Sequence, residues 1–555
     1  MELRALTRAA RYAAIAALGA CAGHAAINGV APVPAYDLVI RNGRVLDGGG
    51  NPWVRADLAV TGGFIAKVGV VRERGRKEID AAGRYVSPGW IDMMDQSGEV
   101  LLESGSAENK LRMGVTSLIG GEGGTPVPAA QVGSYFARLE QQGIAVNFGT
   151  YYSAAQSRID AMGDAAGAPT PAQMAKMKAD VSLALEQGAF GVSSALIYPP
   201  ESFQSTADLI ELAKLGARCN GFYATHMRDE SENLVSAIRE AVEIGEKAGV
   251  KVEIFHLKAA YAPGWGRLMP QAIAEVEAAR ARGVDVAADM YPYEAGGTGL
   301  SITVPNWVFA DGEERGYQRL RDSTVRQRLK REVAAGSLPG WSNLVQASGG
   351  WDHVVLANAY NPKYEADRSH SIAEIARAQG RDPADVAWDI VLDALPNRAM
   401  ALFFFMDERD IETALSQPWT SIGSDAAAAV KFGEVDALGL PHPRAYGTFP
   451  RVIAEYVKKR HLLTLEQAVR KMTSWPAARM GLSDRGVIRE GLRADLTVFD
   501  YDRIKDAATW EHPTAAPTGI DYVVVNGVLA VENGAYTGAK AGRVLHGGCW
   551  RQSVK

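Results

Sequence analysis

The hydrophobic pattern changes period along the chain. Near the start, Tyr36-Asp37-Leu38-Val39-Ile40 alternates and is followed by Asn42-Gly43, a hairpin turn pair. Leu58-Ala59-Val60 and Ile65-Ala66-Lys67-Val68 continue as short strands. The same style returns far downstream, in Ala494-Asp495-Leu496-Thr497-Val498-Phe499 and Tyr522-Val523-Val524-Val525-Asn526-Gly527. Between these ends the period lengthens. Residues 231–248 carry Leu234, Ile238, Ala241, Val242 and Ile244 at helical spacing and stop at Gly249. A strand follows at 252–255, a helix at 273–282 and another strand at 284–289. Repeated βα units of this size predict a parallel sheet closed as a (β/α)8 TIM barrel. The β-rich ends predict one small β-sandwich assembled from both termini. The expected boundaries are 34–85 and 481–548 for the two parts of the sandwich and 86–480 for the barrel. A polar, Trp-punctuated stretch at 306–350 breaks the alternation and predicts an inserted subdomain or lid.

Length and composition fit this picture. A chain of 555 residues, 47% hydrophobic and 22% charged, suits a large barrel with an appended module. A net charge of -5 gives no electrostatic footprint for nucleic acid. Three cysteines, Cys21, Cys219 and Cys549, argue against a disulfide framework and against a Cys-rich zinc module. No stretch beyond the first residues is apolar for long enough to span a bilayer. Residues 1–25 read as an export signal: Arg4, Arg8 and Arg11 precede a short Ala-rich apolar run. Leu18-Gly19-Ala20-Cys21 resembles a bacterial lipoprotein cleavage box, with Cys21 as the lipid anchor. Plain cleavage near Ala25 is the competing reading, and a disordered tail the third. The expectation is an exported protein, periplasmic or lipid-anchored.

In a barrel of this kind chemistry gathers at the C-terminal ends of the strands. Polar residues that follow apolar runs are therefore the candidates. Thr225-His226-Met227-Arg228 and Phe255-His256-Leu257-Lys258 each place a histidine at a strand end, and Thr420-Ser421-Ile422-Gly423-Ser424-Asp425 places a carboxylate. Val115-Thr116-Ser117-Leu118-Ile119 runs into a glycine-rich stretch around Glu122, and Gly191-Val192-Ser193-Ser194 leads to Tyr198. Imidazole is the commonest protein ligand for a transition metal. Two imidazoles and a carboxylate at one rim suggest a metal that polarises a carbonyl and activates water. Two satisfied core histidines are the alternative.

These residues carry a resemblance. The matching stretches are Ser87-Pro88-Gly89-Trp90-Ile91-Asp92, Thr225 to Glu230, His256-Leu257-Lys258, Asp289-Met290-Tyr291-Pro292-Tyr293, Gly423-Ser424-Asp425, and Pro441-His442-Pro443-Arg444-Ala445-Tyr446-Gly447-Thr448-Phe449. The run from Arg485 to Asp495 also fits. Together they resemble the D-aminoacylase (N-acyl-D-amino-acid deacylase) family of the amidohydrolase superfamily, over essentially all of the chain after its first residues. The resemblance implies a zinc-dependent hydrolase of N-acyl-D-amino acids, with His226 and His256 as zinc ligands. It implies that Asp425 touches the metal site and moves a proton from water to the leaving amine. Arg444 would grip the substrate's carboxylate, Lys258 and Tyr291 would orient the substrate, and Tyr198 beside the metal would help to stabilise the oxyanion.

The chain also departs from the family. Where the superfamily places His-x-His after the first strand, the sequence reads Asp92-Met93-Met94-Asp95-Gln96, so Met94 and Gln96 replace the two histidines. Thioether and amide are poor zinc ligands beside imidazole. The family's cysteine ligand is missing too, and Glu122 is the candidate substitute, since a carboxylate can bind zinc. Gly297 stands where a serine is usual. The expected site is Glu122, His226, His256 and Asp425 around one tightly held zinc ion. A different C–N bond as substrate (a D-amino-acid peptide, a cyclic amide or a lactam) is the second reading. A non-catalytic protein that binds small acids at a decayed site is the third.

Overall fold

Eight short runs of buried residues form the staves of a parallel barrel in the computed structural model, which describes residues 34–122 and 125–551. They are Trp90–Asp95 (β1), Val115–Gly120 (β2), Asn147–Thr150 (β3), Gly191–Ala195 (β4), Phe222–His226 (β5), Lys251–Ile254 (β6), Val286–Met290 (β7) and Thr420–Ile422 (β8). Parallel pairing links β1 to β2 and β2 to β3, and links β4 through β8 in order. Asp425 N donates to Met94 O at 2.9 Å and joins the β8 end to β1. The strands are covered on both faces, so they read as continuous apolar runs rather than alternating ones. The expected export signal and the anchor at Cys21 lie outside the described residues, as do Gly123 and Gly124 beside Glu122.

Helices cover the barrel as the 3.6-residue period requires. Leu234–Ala248 buries Leu234, Ile238, Ala241, Val242 and Ile244 and ends at Gly249, whose φ of 70° needs a residue without a Cβ. Gly245 on its inner face is required for another reason. A Cβ there would stand 2.0 Å from Val252 Cγ2 on β6.

The ends of the chain meet in one sheet, the β-sandwich that accompanies the barrel. Leu496–Phe499 pairs antiparallel with Tyr85–Pro88, which pairs in turn with Tyr36–Val45. Leu38, Ile40, Leu58, Val60, Val86, Leu496, Val498 and Val524 share its core. The final stretch goes further and lies against the barrel. Arg543 O and Phe148 N, then Phe148 O and Leu545 N, bond at 2.9 and 2.7 Å along β3. Gly547 N donates to Gly188 O at 2.9 Å, just before β4. Cys549 is bonded to Cys219. A framework of disulfides is absent from so cysteine-poor a chain, but one bridge is present. Its halves are 330 residues apart, and no local pattern announces such a pairing.

Between β7 and β8 the chain makes a long excursion. Ala295–Gly299, Met400–Phe404 and Val354–Asn358 form a three-stranded antiparallel sheet with helices around it. Its core includes Leu320, Leu329, Trp341, Leu356, Trp388 and Phe403. The subdomain is therefore wider than the 306–350 stretch that interrupts the sequence pattern, because its strands lie on both sides of that stretch.

Candidate metal centre and active site

The C-terminal rim of β5 and β6 presents His226 and His256, and the turn after β2 presents Glu122. Glu122 Oε1 lies 2.8 Å from His226 Nδ1 and 2.9 Å from His256 Nε2. The three ligand atoms fall within 4.8 Å of one another, and all three residues are buried. A carboxylate and two imidazoles converging this closely have the donor chemistry of a zinc site. Burial would raise the Glu122 carboxyl, but hydrogen bonds and charge from His226 and His256 outweigh it and hold it well below the ordinary range. His256 has a φ of 35°, an uncommon backbone for a side chain of this size. Its N–H donates to Asp289 Oδ1 at 2.8 Å, which pins the turn.

Glu230 lies behind both rings. Its Oε1 is 3.0 Å from His256 Nδ1, and its Oε2 is 3.3 Å from His226 Nε2. Lys258, expected to orient substrate, is committed here instead: Nζ lies 2.7 Å from Glu230 Oε1 and 2.6 Å from His256 Nδ1. Burial and Lys258 disfavour charge on His256, while Glu230 and Glu122 favour it more, so its ordinary value is pushed up to about 10. Sequence reasoning gave Glu230 no role, although its place four residues after His226 on the same rim was a usable signal.

Asp425 faces this group without joining it. Its Oδ2 accepts from Arg444 Nη1 at 2.5 Å, and its Oδ1 lies 3.4 Å from Gln96 Nε2. Gln96 Nε2 also donates to Glu122 Oε2. The compact three-residue group thus lacks the fourth ligand expected of Asp425, because that carboxylate is drawn to Arg444. Arg444, expected to face a substrate carboxylate, is 1% exposed, and its Nε is buried without a partner among the described residues. Tyr291 lies over the Arg444 guanidinium at 4.7 Å. Tyr198 packs edge-on to His226, with ring centroids 5.3 Å apart, and its hydroxyl bonds to Thr298 Oγ1 at 2.9 Å.

Apart from Asp289, all of these residues line one cavity of about 580 Å³. Gly296, Gly297, Thr298, Arg398 and Met400 of the inserted subdomain form its outer wall. A serine at Gly297 would require the Leu440 side chain to move, since a Cβ there would meet Leu440 Cδ2 at 2.3 Å. Glu201, buried at the same cavity, is pushed up to about 8, chiefly by desolvation.

Known proteins resemble the chain along this whole framework. A profile of the amidohydrolase family matches residues 350–531. An N-acyl-D-glutamate deacylase of Alcaligenes xylosoxydans xylosoxydans is 33% identical over 530 residues, spanning 92% of this chain and 96% of the relative. A solved N-acyl-D-glutamate deacylase from Bordetella bronchiseptica, complexed with zinc and a phosphonate mimic of the tetrahedral intermediate, superposes with a TM-score of 0.76 at 29% identity. It covers 92% of this chain and 99% of that one. A D-aminoacylase structure, with a binuclear metal centre described by one-metal activation and second-metal attenuation, gives a TM-score of 0.76 at 32% identity, over 92% of this chain and 100% of that one. With identity above 30% sustained over nearly the full length, the chain belongs to the D-aminoacylase family of the amidohydrolase superfamily.

Proposed function

We propose that this protein is a zinc-dependent hydrolase of C–N bonds other than peptide bonds, cleaving the amide of N-acyl-D-amino acids or close relatives. The observation that carries this is the convergence of Glu122, His226 and His256 at a barrel mouth that also holds Asp425 and Arg444. Glu122, His226 and His256 would hold the zinc ion. When bound, zinc supplies Lewis acidity, polarising a carbonyl and lowering the pKa of water to about 7.

The chain's own groups do the rest. Asp425 takes a proton from the attacking water and returns it to the leaving nitrogen, a role worth roughly 10²–10⁴ in rate. Arg444 steadies Asp425 through Nη1, and its unpartnered Nε is a buried donor available to a substrate carboxylate. Tyr198 beside His226 and Tyr291 against Arg444 line the cavity that would receive the substrate. Lys258 holds Glu230 against both histidines and so orients the ligands rather than the substrate.

Work outside the cytoplasm is part of the same reading. The Cys219–Cys549 bridge supports it, since such bonds persist in oxidising compartments. The test of function is hydrolysis of N-acyl-D- and N-acyl-L-amino acids by zinc-loaded protein. Turnover of the D series is expected. A strict preference for L substrates overturns the stereochemical assignment, and zinc-loaded protein that cleaves neither overturns the activity.

A further inference from the structure

Glu122 gives the histidines only one of its two oxygens. The other, Oε2, accepts from Gln96 Nε2, and the same nitrogen lies 3.4 Å from Asp425 Oδ1. Asp425 Oδ2 is taken by Arg444 Nη1 at 2.5 Å. The gap between the two carboxylates is therefore bridged by a carboxamide NH₂, and the far side of Asp425 is held by a guanidinium. A second divalent ion beside the first would need these same oxygens. It would find hydrogen-bond donors where it requires acceptors.

Strand β1 offers nothing in compensation. Met94 is 1% exposed and sits in an apolar cluster with Ile119, Tyr151 and Phe255. Asp92 and Asp95 turn to Lys110, whose Nζ lies 3.0 and 2.8 Å from them, and all three side chains are fully buried. Their oxygens are already taken by that ammonium group and by Ser424 and Ser97, whose N–H and hydroxyl groups donate to Asp92 and Asp95 respectively.

We propose that Gln96 and Arg444 together take the place of a second cation, so that the centre accepts one ion and is not attenuated by excess metal. The related D-aminoacylase, with its binuclear centre, is described by second-metal attenuation. Here the bridging hydrogens of Gln96 and the charge of Arg444 do permanently what a second ion would do reversibly. The inference rests on the zinc reading above.

The experiment is zinc binding to the metal-stripped full chain and to Gln96→Glu, which has nearly the same shape but replaces the donor with an acceptor. Equilibrium dialysis counts the ions, and anomalous diffraction places them. Activity is followed as zinc rises from equimolar to large excess. The unaltered protein is expected to hold one ion between Glu122, His226 and His256 and to keep its activity in excess zinc. Gln96→Glu is expected to gain a second ion between Glu122 and Asp425 and to become sensitive to excess zinc. A second anomalous peak between those carboxylates in the unaltered protein overturns the inference and leaves the zinc reading intact. So does a folded Gln96→Glu that binds only one ion. An unaltered protein that binds none at the histidines overturns both.

Discussion

Asp425 and His256 both occupy the left-handed backbone region, with φ of 49° and 35°. Residues with side chains pay of order 1–3 kcal/mol for such geometry, and it persists where surrounding contacts over-determine it. Here Asp425 N is bonded to Met94 O and His256 N to Asp289 Oδ1. Asp425 is thus pinned by backbone alone and His256 by the side chain of Asp289. Asp425→Asn keeps the shape and removes the proton acceptor. It should cut kcat by roughly 10²–10⁴ while zinc content, measured by atomic emission, stays the same. Glu230→Gln should instead weaken zinc affinity by roughly 10–100-fold in chelator competition, because one carboxylate braces both imidazoles. The histidines were legible in the sequence because each ends an apolar run. The part played by Gln96 was not, since it meets Asp425 across 329 residues of chain and only the closed barrel brings them together.

At the scale of elements, period told most of the story. Helix Leu234–Ala248 announces itself by spacing and by its terminal glycine. Short strands such as Thr420–Ile422 carry too few residues to show a period, and β8 is visible only through the carboxylate that follows it. The inserted sheet was less legible. Ala295–Gly299 contains three glycines, and the strand it pairs with, Met400–Phe404, lies beyond a long helical stretch, so neither alternation nor adjacency marks the pair. Close packing between elements was invisible as well. Gly245 gives no hint in the sequence that it touches β6. Gly245→Ala should lower stability by about 1–3 kcal/mol in urea unfolding, through overpacking against Val252 rather than through helix propensity.

Over the whole molecule, the buried acid Glu201 ties stability to pH. The folded protein keeps a proton on Glu201 up to about 8, whereas the unfolded chain loses it near 4.5. This contribution is complete below about 4.5 and is lost as the pH rises through about 8. The thermal midpoint should therefore fall across that window, and Glu201→Gln, which cannot ionise, should flatten the fall. The two-ended sandwich was legible because both termini alternate in the same style.

The seam between β3 and β4 has a consequence for how this protein is made. Arg543 reaches Asn147 Oδ1 across 396 residues, and the glycines at 542 and 547 let the segment lie almost in contact with backbone on either side. Tyr152–Ser153 already pairs with β4, and Phe190 N donates to Thr150 O, but the seam beside Phe148 and Gly188 is filled only once residues 542–547 have been made. A nascent chain stalled before residues 542–547 leaves that part of the seam uncovered, a weak point for chaperones or proteases to find.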